Sequence, residues 1–248
     1  MSEELLRIEK VGKRFGKITA LQEVNLTFNK AEVVGLVGDN GAGKSTLIKI
    51  ISGYHTADSG SLYWEGKKVR FRLPKHARNM GIETVYQEQA LAPDLTIARN
   101  VFMGREPSNA LGIMQEKLME EESMKVLRGL GLRIKSPDQL VKKLSGGQRQ
   151  GVAIARALYF DAKMVILDEP TIALSVKEVR EVLEFVNQLK QKGIAVIFIT
   201  HNLHHIFSVA DRLVVLANGE VMTDVRTENS SVEDMSDIIV KSTLGALV

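Results

Sequence analysis

The sequence contains no cysteine, which excludes disulfide bonds and metal sites built on thiolates. It also lacks a long hydrophobic run. The longest runs, at 194–199 and 213–217, fall far short of the roughly 20 apolar residues that span a bilayer. No internal repeat and no low-complexity stretch is present. We therefore expect a chain that does not cross a membrane and whose 44% hydrophobic content forms an ordinary core.

A targeting signal and a strong charge of one sign are missing as well. Residues 1–7 mix both charges and lack the basic-then-apolar order of a secretory signal, so we expect the chain to stay in the cytoplasm. The 33 lysines and arginines outnumber the 30 aspartates and glutamates only slightly. This excess is too small to make a nucleic-acid footprint by itself, and no nucleic-acid partner is expected.

The order of hydrophobic patterns predicts an α/β fold. Residues 5–11 and 20–28 alternate as two antiparallel strands, and a second hairpin turns at 65–66. Helical spacing without a strand pattern extends from 96 to 143 and predicts a helical insertion. The remaining patterns are a helix from Gln148, a strand at 164–167, a helix at 176–190, a strand at 194–199, an Asn-Gly hairpin at 218–219 and a short amphipathic helix from 230.

Residues 38–46 read Gly-Asp-Asn-Gly-Ala-Gly-Lys-Ser-Thr, a complete phosphate-binding loop of the form G-x-x-x-x-G-K-[ST]. A strand-like apolar run precedes the loop and a helix pattern follows it, which is the context that separates this motif from a glycine-rich turn with a surface lysine. Lys44 would reach the β- and γ-phosphates, Ser45 would ligate Mg²⁺ and Thr46 would lie near the α-phosphate. The residues expected to bind a nucleoside triphosphate are Gly38, Asp39, Asn40, Gly41, Ala42, Gly43, Lys44, Ser45 and Thr46.

Two acids, Asp168 and Glu169, follow the strand pattern at 164–167. The carboxyl ends of strands are where α/β sheets place ligands. Asp168 would orient Mg²⁺, while Glu169 would face the γ-phosphate and take a proton from the attacking water. Alone, such a pair is often a solvated turn. Beside a phosphate loop it predicts phosphoryl transfer, which needs an acid to hold the metal.

The string Leu-Ser-Gly-Gly-Gln-Arg-Gln at 144–150 predicts a second anion-binding helix start. Ser145 would cap the helix and offer its hydroxyl, while Gly146 and Gly147 would expose backbone N–H groups at the positive end of the helix dipole. The simpler alternative is a Ser-Gly capping turn, but it does not explain the two glutamines that follow.

The loop at 38–46, the acids at 168–169 and the string at 144–150 together resemble those of ATP-binding cassette ATPases, the motor subunits of transporters, and the resemblance covers nearly the whole chain. It implies one domain over 1–248 with an α/β, P-loop NTPase (RecA-like) core and an N-terminal antiparallel β region. The implied parts are the core at about 1–87 and 145–228, an inserted α-helical subdomain at about 88–144 and a C-terminal helix at about 230–245.

The same resemblance implies how the site works. ATP and Mg²⁺ would lie between two subunits arranged head to tail, either a homodimer or a pair with a second such ATPase. The phosphate loop of one subunit would face the other subunit's Ser145, Gly146, Gly147 and Gln148.

Three further residues match the family by position. Phe15 would stack on adenine, Gln87 would meet Mg²⁺ and the attacking water, and His201 would contact the γ-phosphate. Taken singly, these residues would be a core or turn aromatic, a solvated strand end and a helix cap. The implied catalytic set is Glu169, His201, Gln87 and Lys44, and the implied metal set is Ser45, Gln87 and Asp168.

The segment 73–106 is similar, more loosely, to ATPases of bacterial monosaccharide importers of the ribose, xylose and fructose type. That similarity implies transmembrane permease subunits, indirectly an extracytoplasmic sugar-binding protein, and a peripheral position on the cytoplasmic face of the membrane. Many members of the group carry two fused cassettes, whereas this chain carries one, so two copies would have to pair.

One residue departs from the family pattern. Ser175 stands where the family usually has an aspartate that touches the partner's phosphate loop, which puts communication between the two sites in question. Two alternatives stay open: a cassette ATPase of an exporter or of a soluble system, and a regulatory nucleotide-binding module without transport.

Overall fold

The computed structural model describes residues 3–86 and 91–244, which form two sheets flanked by helices. The strands are β1 (Glu4–Phe15), β2 (Ile18–Asn29), β3 (Val33–Val37), β4 (Ser59–Trp64), β5 (Lys67–Val69), β6 (Ile82–Val85), β7 (Met164–Asp168), β8 (Ala195–Ile199), β9 (Arg212–Ala217) and β10 (Glu220–Arg226). The α-helices are α1 (Lys44–Ile51), α2 (Pro74–Asn79), α3 (Ile97–Phe102), α4 (Glu116–Gly129), α5 (Gly146–Tyr159), α6 (Val176–Gln191), α7 (Leu203–Phe207) and α8 (Val232–Leu244). The predicted α/β class is confirmed.

The smaller sheet is antiparallel, with the strand order β2-β1-β4-β5. Both predicted hairpins are therefore confirmed. β1 and β2 are longer than their alternating segments, because pairing continues to a two-residue turn in which Phe15 faces Ile18. The buried side chains of this sheet share one hydrophobic core with α1.

The larger sheet has the strand order β10-β9-β3-β8-β7-β6. All its neighbours pair in parallel except β10, which forms the predicted Asn-Gly hairpin with β9. The strands β3, β8 and β7 are adjacent in this order, although helices and long connections separate them along the chain. Because they are parallel, their carboxyl ends lie along one edge of the sheet.

Cores on both faces cover the larger sheet. Along β3, Val33 and Val37 belong to one hydrophobic cluster, and Val34 and Leu36 belong to the other. Successive side chains of a strand point to opposite faces, so a continuous apolar run is what a strand buried on both faces requires. This burial makes β3 a rigid base for the loop that follows it.

Helices occupy the segment between β6 and α5, where helical spacing was predicted. α3 and α4 pack against α5, and a 3₁₀ turn at Val141–Lys143 completes the segment. The buried side chain of Asn100 accepts a hydrogen bond from Ala92 N and donates to backbone carbonyls, including those of Ala92 and Thr96. This side chain fastens the start of the helical segment.

Two helices differ from the sequence predictions. α2 was not predicted, because Pro74 at its first turn is a helix start inside a segment too short to show helical periodicity. α5 begins at Gly146 rather than Gln148, since Ser145 caps it at that point. No helix within residues 3–86 and 91–244 is both long enough and apolar enough to span a bilayer.

Candidate functional site

A cavity of about 520 Å³ lies at the carboxyl edge of the larger sheet. In the sheet register, Ile199 of β8 pairs with Leu36 of β3 on one side and with Asp168 of β7 on the other. The segments that follow these strands therefore meet at one level. The cavity is lined by Ile18, Thr19, Ala20, Asp39, Asn40, Gly41, Ala42, Gly43, Lys44, Ser45, Thr46, Asp168, Glu169, Ile172, Ile199 and His201.

The loop between β3 and α1, with the first turn of α1, supplies eight of the residues that line this cavity, Asp39 to Thr46. Gly38 lies at the start of the loop with φ +144, and a Cβ at this position would lie 2.1 Å from the Leu216 carbonyl oxygen. Only glycine fits there, because the loop runs directly against β9. The strand, loop and helix succession of the predicted phosphate-binding motif is present in this order.

Lys44 begins α1 with its ammonium group inside the loop. Its Nζ donates hydrogen bonds to the carbonyl oxygens of Gly38, at 2.6 Å, and Asp39, at 2.9 Å. Burial lowers the pKa of Lys44, and the nearby carboxylates, Glu169 first, oppose that shift. The ammonium is therefore held where a phosphate group would replace the carbonyl oxygens as its partner.

Asp168 and Glu169 lie at the end of β7 across the cavity from Lys44. Burial raises the pKa of Asp168, and the adjacent Glu169 raises it further, while Lys44 partly offsets both effects. Glu169 has φ +50, an uncommon conformation for a non-glycine residue that is often found at functional sites. Its N–H donates to the Ile199 carbonyl oxygen at 3.0 Å, which fixes this turn of the backbone.

The carboxylate of Glu169 has one paired and one unpaired oxygen. Oε1 lies 3.1 Å from His201 Nδ1, and Oε2 is buried without a hydrogen-bond partner. The side chain of Glu169 is 16% exposed and that of His201 is 69% exposed. One carboxylate oxygen is thus oriented by His201, and the other is free to accept a proton or a hydrogen bond.

The two histidines that follow His201 differ from it and from each other. His204 is exposed. His205 is half-buried, with Nδ1 3.1 Å from the Thr171 hydroxyl oxygen, and burial lowers its pKa. It therefore packs α7 against the segment after Glu169.

Ser145, Gly146, Gly147 and Gln148 do not line this cavity. Ser145 caps α5 through a reciprocal pair of hydrogen bonds with Gln148: Gln148 N donates to Ser145 Oγ at 3.2 Å, and Ser145 N donates to Gln148 Oε1 at 3.1 Å. Gly146 and Gly147 form the first turn. Within one copy of the chain, this turn is a helix cap that does not share the cavity with the loop at 38–46.

Of the remaining predicted residues, Phe15 lies at the end of β1 and is 43% exposed. Its ring contacts that of His55 edge-on, with 5.3 Å between centroids, and it does not line the cavity. Its cross-strand partner Ile18 does, together with Thr19 and Ala20. Gln87 lies outside the described residues.

The residues that sequence reasoning missed are Ile18, Thr19 and Ala20 of β2, and Ile172 and Ile199. The β2 residues carry no chemical signal, since they reach the cavity only because the hairpin folds back beside the phosphate loop. Ile199 ends the predicted strand before His201, so its place at the edge could have been inferred from the sheet.

A phosphate loop on a buried parallel strand, with acids at the end of a second parallel strand beyond the adjacent β8, defines a P-loop nucleotide-binding protein. The profile of one such family, described as ABC transporter, matches residues 21–172. The chain belongs to this family of ATP-binding cassettes and is an ATPase of that type.

Individual relatives are similar to this chain over nearly its whole length. The chain is 52% identical over 242 residues to the xylose/arabinose import ATP-binding protein of Sulfolobus acidocaldarius, covering 98% of this chain and 96% of that protein. It is 44% identical over 240 residues to the fructose import ATP-binding protein of Rhizobium meliloti, covering 94% and 92%. A ribose import ATP-binding protein of Rubrobacter xylanophilus is 40% identical over 99% of this chain, which spans only 49% of that longer relative.

Solved structures show the same fold. The ADP conformation of an ATP-binding cassette of an ABC transporter superimposes with a TM-score of 0.83 at 30% identity over 97% of both chains. A dimeric cassette in a post-hydrolysis state, bound to ADP and Pi, gives a TM-score of 0.75 at 27% identity, covering 90% of this chain and 99% of that one.

Proposed function

We propose that this chain is the ATP-hydrolysing motor of a monosaccharide importer and that two copies drive a membrane permease. The observation that carries this proposal is the grouping of Lys44, Glu169 and His201 around one cavity, in a chain 52% identical along its length to a xylose/arabinose import ATP-binding protein. These groups have the chemistry that ATP hydrolysis requires: a cation for the phosphates, a base and a residue that orients the base.

Glu169 is the proposed general base. Its unpaired Oε2 accepts a proton from the water that attacks the γ-phosphate, while Oε1 stays with His201. A general base of this kind contributes about 10²–10⁴-fold to a rate. His201 holds the carboxylate and, being largely exposed, is also free to contact the γ-phosphate.

Lys44 binds the phosphates. When they enter, its Nζ exchanges the carbonyl oxygens of Gly38 and Asp39 for phosphate oxygens, and the loop N–H groups and the positive end of α1 add to the attraction. We assign the contacts of residues 38–46 to the phosphates and the stacking contact with adenine to Phe15. The stacking assignment rests on the position of Phe15 at the end of β1, next to the residues of β2 that line the cavity.

Mg²⁺ suits the oxygen donors present here. The Ser45 hydroxyl and the Asp168 carboxylate line the same cavity, so two oxygen donors of the kind that this ion prefers face one space. We propose that Ser45, Asp168 and Gln87 hold the ion jointly with the phosphates. When bound, Mg²⁺ would neutralise charge on the β- and γ-phosphates.

Two copies are required because one chain has only half of each site near its cavity. Ser145, Gly146, Gly147 and Gln148 lie at the start of a 14-residue helix and do not line the cavity, and a helix start of this kind attracts phosphate. We propose that the turn of one copy grips the γ-phosphate held by the other, head to tail. The dimeric solved cassette with ADP and Pi supports such a pair.

The coupling to transport is assigned to the helical segment. We propose that about 88–144 is a subdomain inserted in a core of about 1–87 and 145–228, with a C-terminal helix at about 230–245. Closure of the pair would pull, through this segment, on a permease that holds the subunits at the cytoplasmic face of the membrane. An extracytoplasmic sugar-binding protein would be an indirect partner, and it and the permease would select the sugar.

The proposal is tested by measuring ATP turnover of the chain alone and after reconstitution in vesicles with the membrane protein that co-purifies with it. The expected result is a low rate alone, a higher rate with the membrane protein, and a further rise when a pentose- or hexose-loaded binding protein is added outside. An ATP turnover rate that does not change when the membrane protein is added would contradict a motor role. Stimulation by a substrate on the cytoplasmic side alone would identify an exporter instead.

A further inference from the structure

The carboxylate of Glu178, in the first turn of α6, joins two separate segments of the chain. Its Oε2 accepts hydrogen bonds from Ser175 N at 2.9 Å and from Ser175 Oγ at 2.8 Å. Its Oε1 accepts a hydrogen bond from Gly147 N at 3.3 Å. One side chain thus links the N-cap of α6 to the first turn of α5, the turn that we assign to the partner's γ-phosphate.

Close packing accompanies these hydrogen bonds. A Cβ on Gly146 would lie 2.4 Å from Leu174 Cδ2, and a Cβ on Gly147 would lie 2.6 Å from Glu181 Oε2. Both of these atoms lie at the ends of flexible side chains, so the distances report how closely the first turn of α5 packs on the start of α6 and not a strict need for glycine.

The Glu178 carboxylate is charged at neutral pH. Backbone and side-chain hydrogen bonds from Ser175, with smaller contributions from the N–H groups of Gly147 and Gly146, lower the pKa of Glu178 to about 2. Ser175 itself brings no charge to the position where related cassettes usually carry an aspartate. Glu178, one helical turn later, supplies the carboxylate of this region.

The segment 170–175 connects the base to this link. It starts directly after Glu169, is held at Thr171 by the hydrogen bond with His205, and ends at Ser175, which Glu178 binds. A displacement of Glu169 by the bound nucleotide is therefore transmitted along six residues to a carboxylate that touches the first turn of α5.

We propose that Glu178 is a positioning residue for ATP hydrolysis: it fastens the first turn of α5 to the segment that follows Glu169, so that one copy's own site sets the geometry of the turn it presents to the other copy's ATP. This proposal rests on the proposed two-copy function. It assigns to Glu178 the communication between sites for which related cassettes have the aspartate that Ser175 replaces.

The test uses ATP-dependent dimerisation of the full chain in the Glu169→Gln background, with and without Glu178→Ala, together with steady-state turnover of Glu178→Ala alone. ATP affinity of the monomer should stay within about twofold, because Glu178 does not touch the cavity. The ATP concentration for half-maximal dimerisation should rise, and kcat should fall, by about tenfold or more, the change expected when one hydrogen bond to a charged group is lost.

Two further variants complete the test of Glu178→Ala. Glu181→Ala removes an equal charge from the same helix one turn further on, where no hydrogen bond to Gly147 is made, and it should leave both quantities unchanged. Glu178→Gln keeps the size of the side chain, but its amide nitrogen would face a donor, since Ser175 N, Ser175 Oγ and Gly147 N all donate. It should therefore reproduce the loss of dimerisation and turnover with only a modest fall in melting temperature, since a folded chain has then lost the link alone.

The outcomes are distinguishable. If the Glu169→Gln parent dimerises with ATP but Glu178→Ala and Glu178→Gln dimerise and turn over like their parents, the role of Glu178 is wrong and the two-copy function stands. An equal loss in Glu181→Ala would also overturn it, since charge alone would then explain the effect. If the Glu169→Gln parent never dimerises, the proposed function fails and this inference fails with it.

Discussion

His201 Nδ1 lies 3.1 Å from Glu169 Oε1, which joins the ends of β8 and β7 directly above the phosphate loop. The pair leaves Oε2 of Glu169 buried and without a partner. A buried acceptor without a hydrogen bond is costly, and the cost is removed when a water or substrate donor reaches it. This is the arrangement that the role we propose for Glu169, binding the attacking water, requires.

Replacing His201 tests whether this orientation matters. His201→Ala should lower the ATP turnover rate by about 10²-fold or more, because a base that is not held in place loses part of its contribution. ATP affinity should change little. His204→Ala is the matched control, since His204 is exposed on α7 and contacts nothing in the cavity. Equal activity in the two variants would remove His201 from the site.

Lys44 is expected to act mainly through binding. Lys44→Ala should weaken ATP binding by about tenfold to a hundredfold, as expected for the loss of hydrogen bonds between charged groups. Lys49→Ala removes the same charge from an exposed position on the same helix and should leave affinity unchanged. Titration with a fluorescent ATP analogue measures both, and comparable losses would indicate attraction by net charge only.

We expect the charged Asp168 carboxylate to destabilise the folded chain at neutral pH. Burial and Glu169 raise its pKa in the folded chain, so the folded state binds this proton more tightly than the unfolded state. The stabilising contribution of this group is therefore complete below its unfolded pKa and is lost as the pH rises through its folded pKa.

Asp168→Asn, which stays neutral, should accordingly raise the melting temperature of the free protein at neutral pH while lowering its Mg²⁺-dependent turnover. The gain should shrink as the pH falls towards the range where the wild-type carboxyl is protonated. Thermal melts from pH 4 to pH 8 measure this, with the exposed Asp161→Asn as the control. A lower melting temperature for Asp168→Asn at neutral pH would show that the carboxylate is stabilised rather than strained.

The phosphate loop offers a matched pair of glycines. Gly41 has φ +85 and open space around its Cβ position, so Gly41→Ala should cost only the left-handed backbone penalty of about 1–2 kcal/mol. Gly38→Ala adds a clash with the Leu216 carbonyl of β9 and should cost at least about 2 kcal/mol more. Urea unfolding measures the difference, and equal losses would mean that the loop and β9 separate easily.

The phosphate loop and the acids could be predicted because each is a short local pattern tied to a strand end, whereas His201 was implied by the family resemblance and its position after a strand. Parallel strands then bring these patterns together, since their carboxyl ends share one edge. The register that aligns Leu36, Ile199 and Asp168 could not be predicted, but any parallel pairing of the three strands gives nearly the same site.

Other features depend on contacts between distant segments, and no local pattern reports them. The link from Glu178 to Gly147 spans 31 positions, and the glutamate itself reads only as an ordinary capping residue three positions after Ser175. Likewise, Ile18 lines the cavity because the first hairpin folds over the loop. The role of Phe15 stays a prediction, and that of Gln87 falls on a residue outside the described part of the chain.

The central claim is that ATP is hydrolysed between two copies with Glu169 as the base, and one variant tests it most directly. Glu169→Gln, loaded with ATP and Mg²⁺, is compared with the parent by turnover assay and by analytical ultracentrifugation. The expected result is retained ATP binding, turnover reduced by about 10²–10⁴-fold, and a dimer that dissociates when ATP is removed. A variant that hydrolyses ATP at the parental rate, or that binds ATP and stays monomeric at high concentration, would contradict the claim.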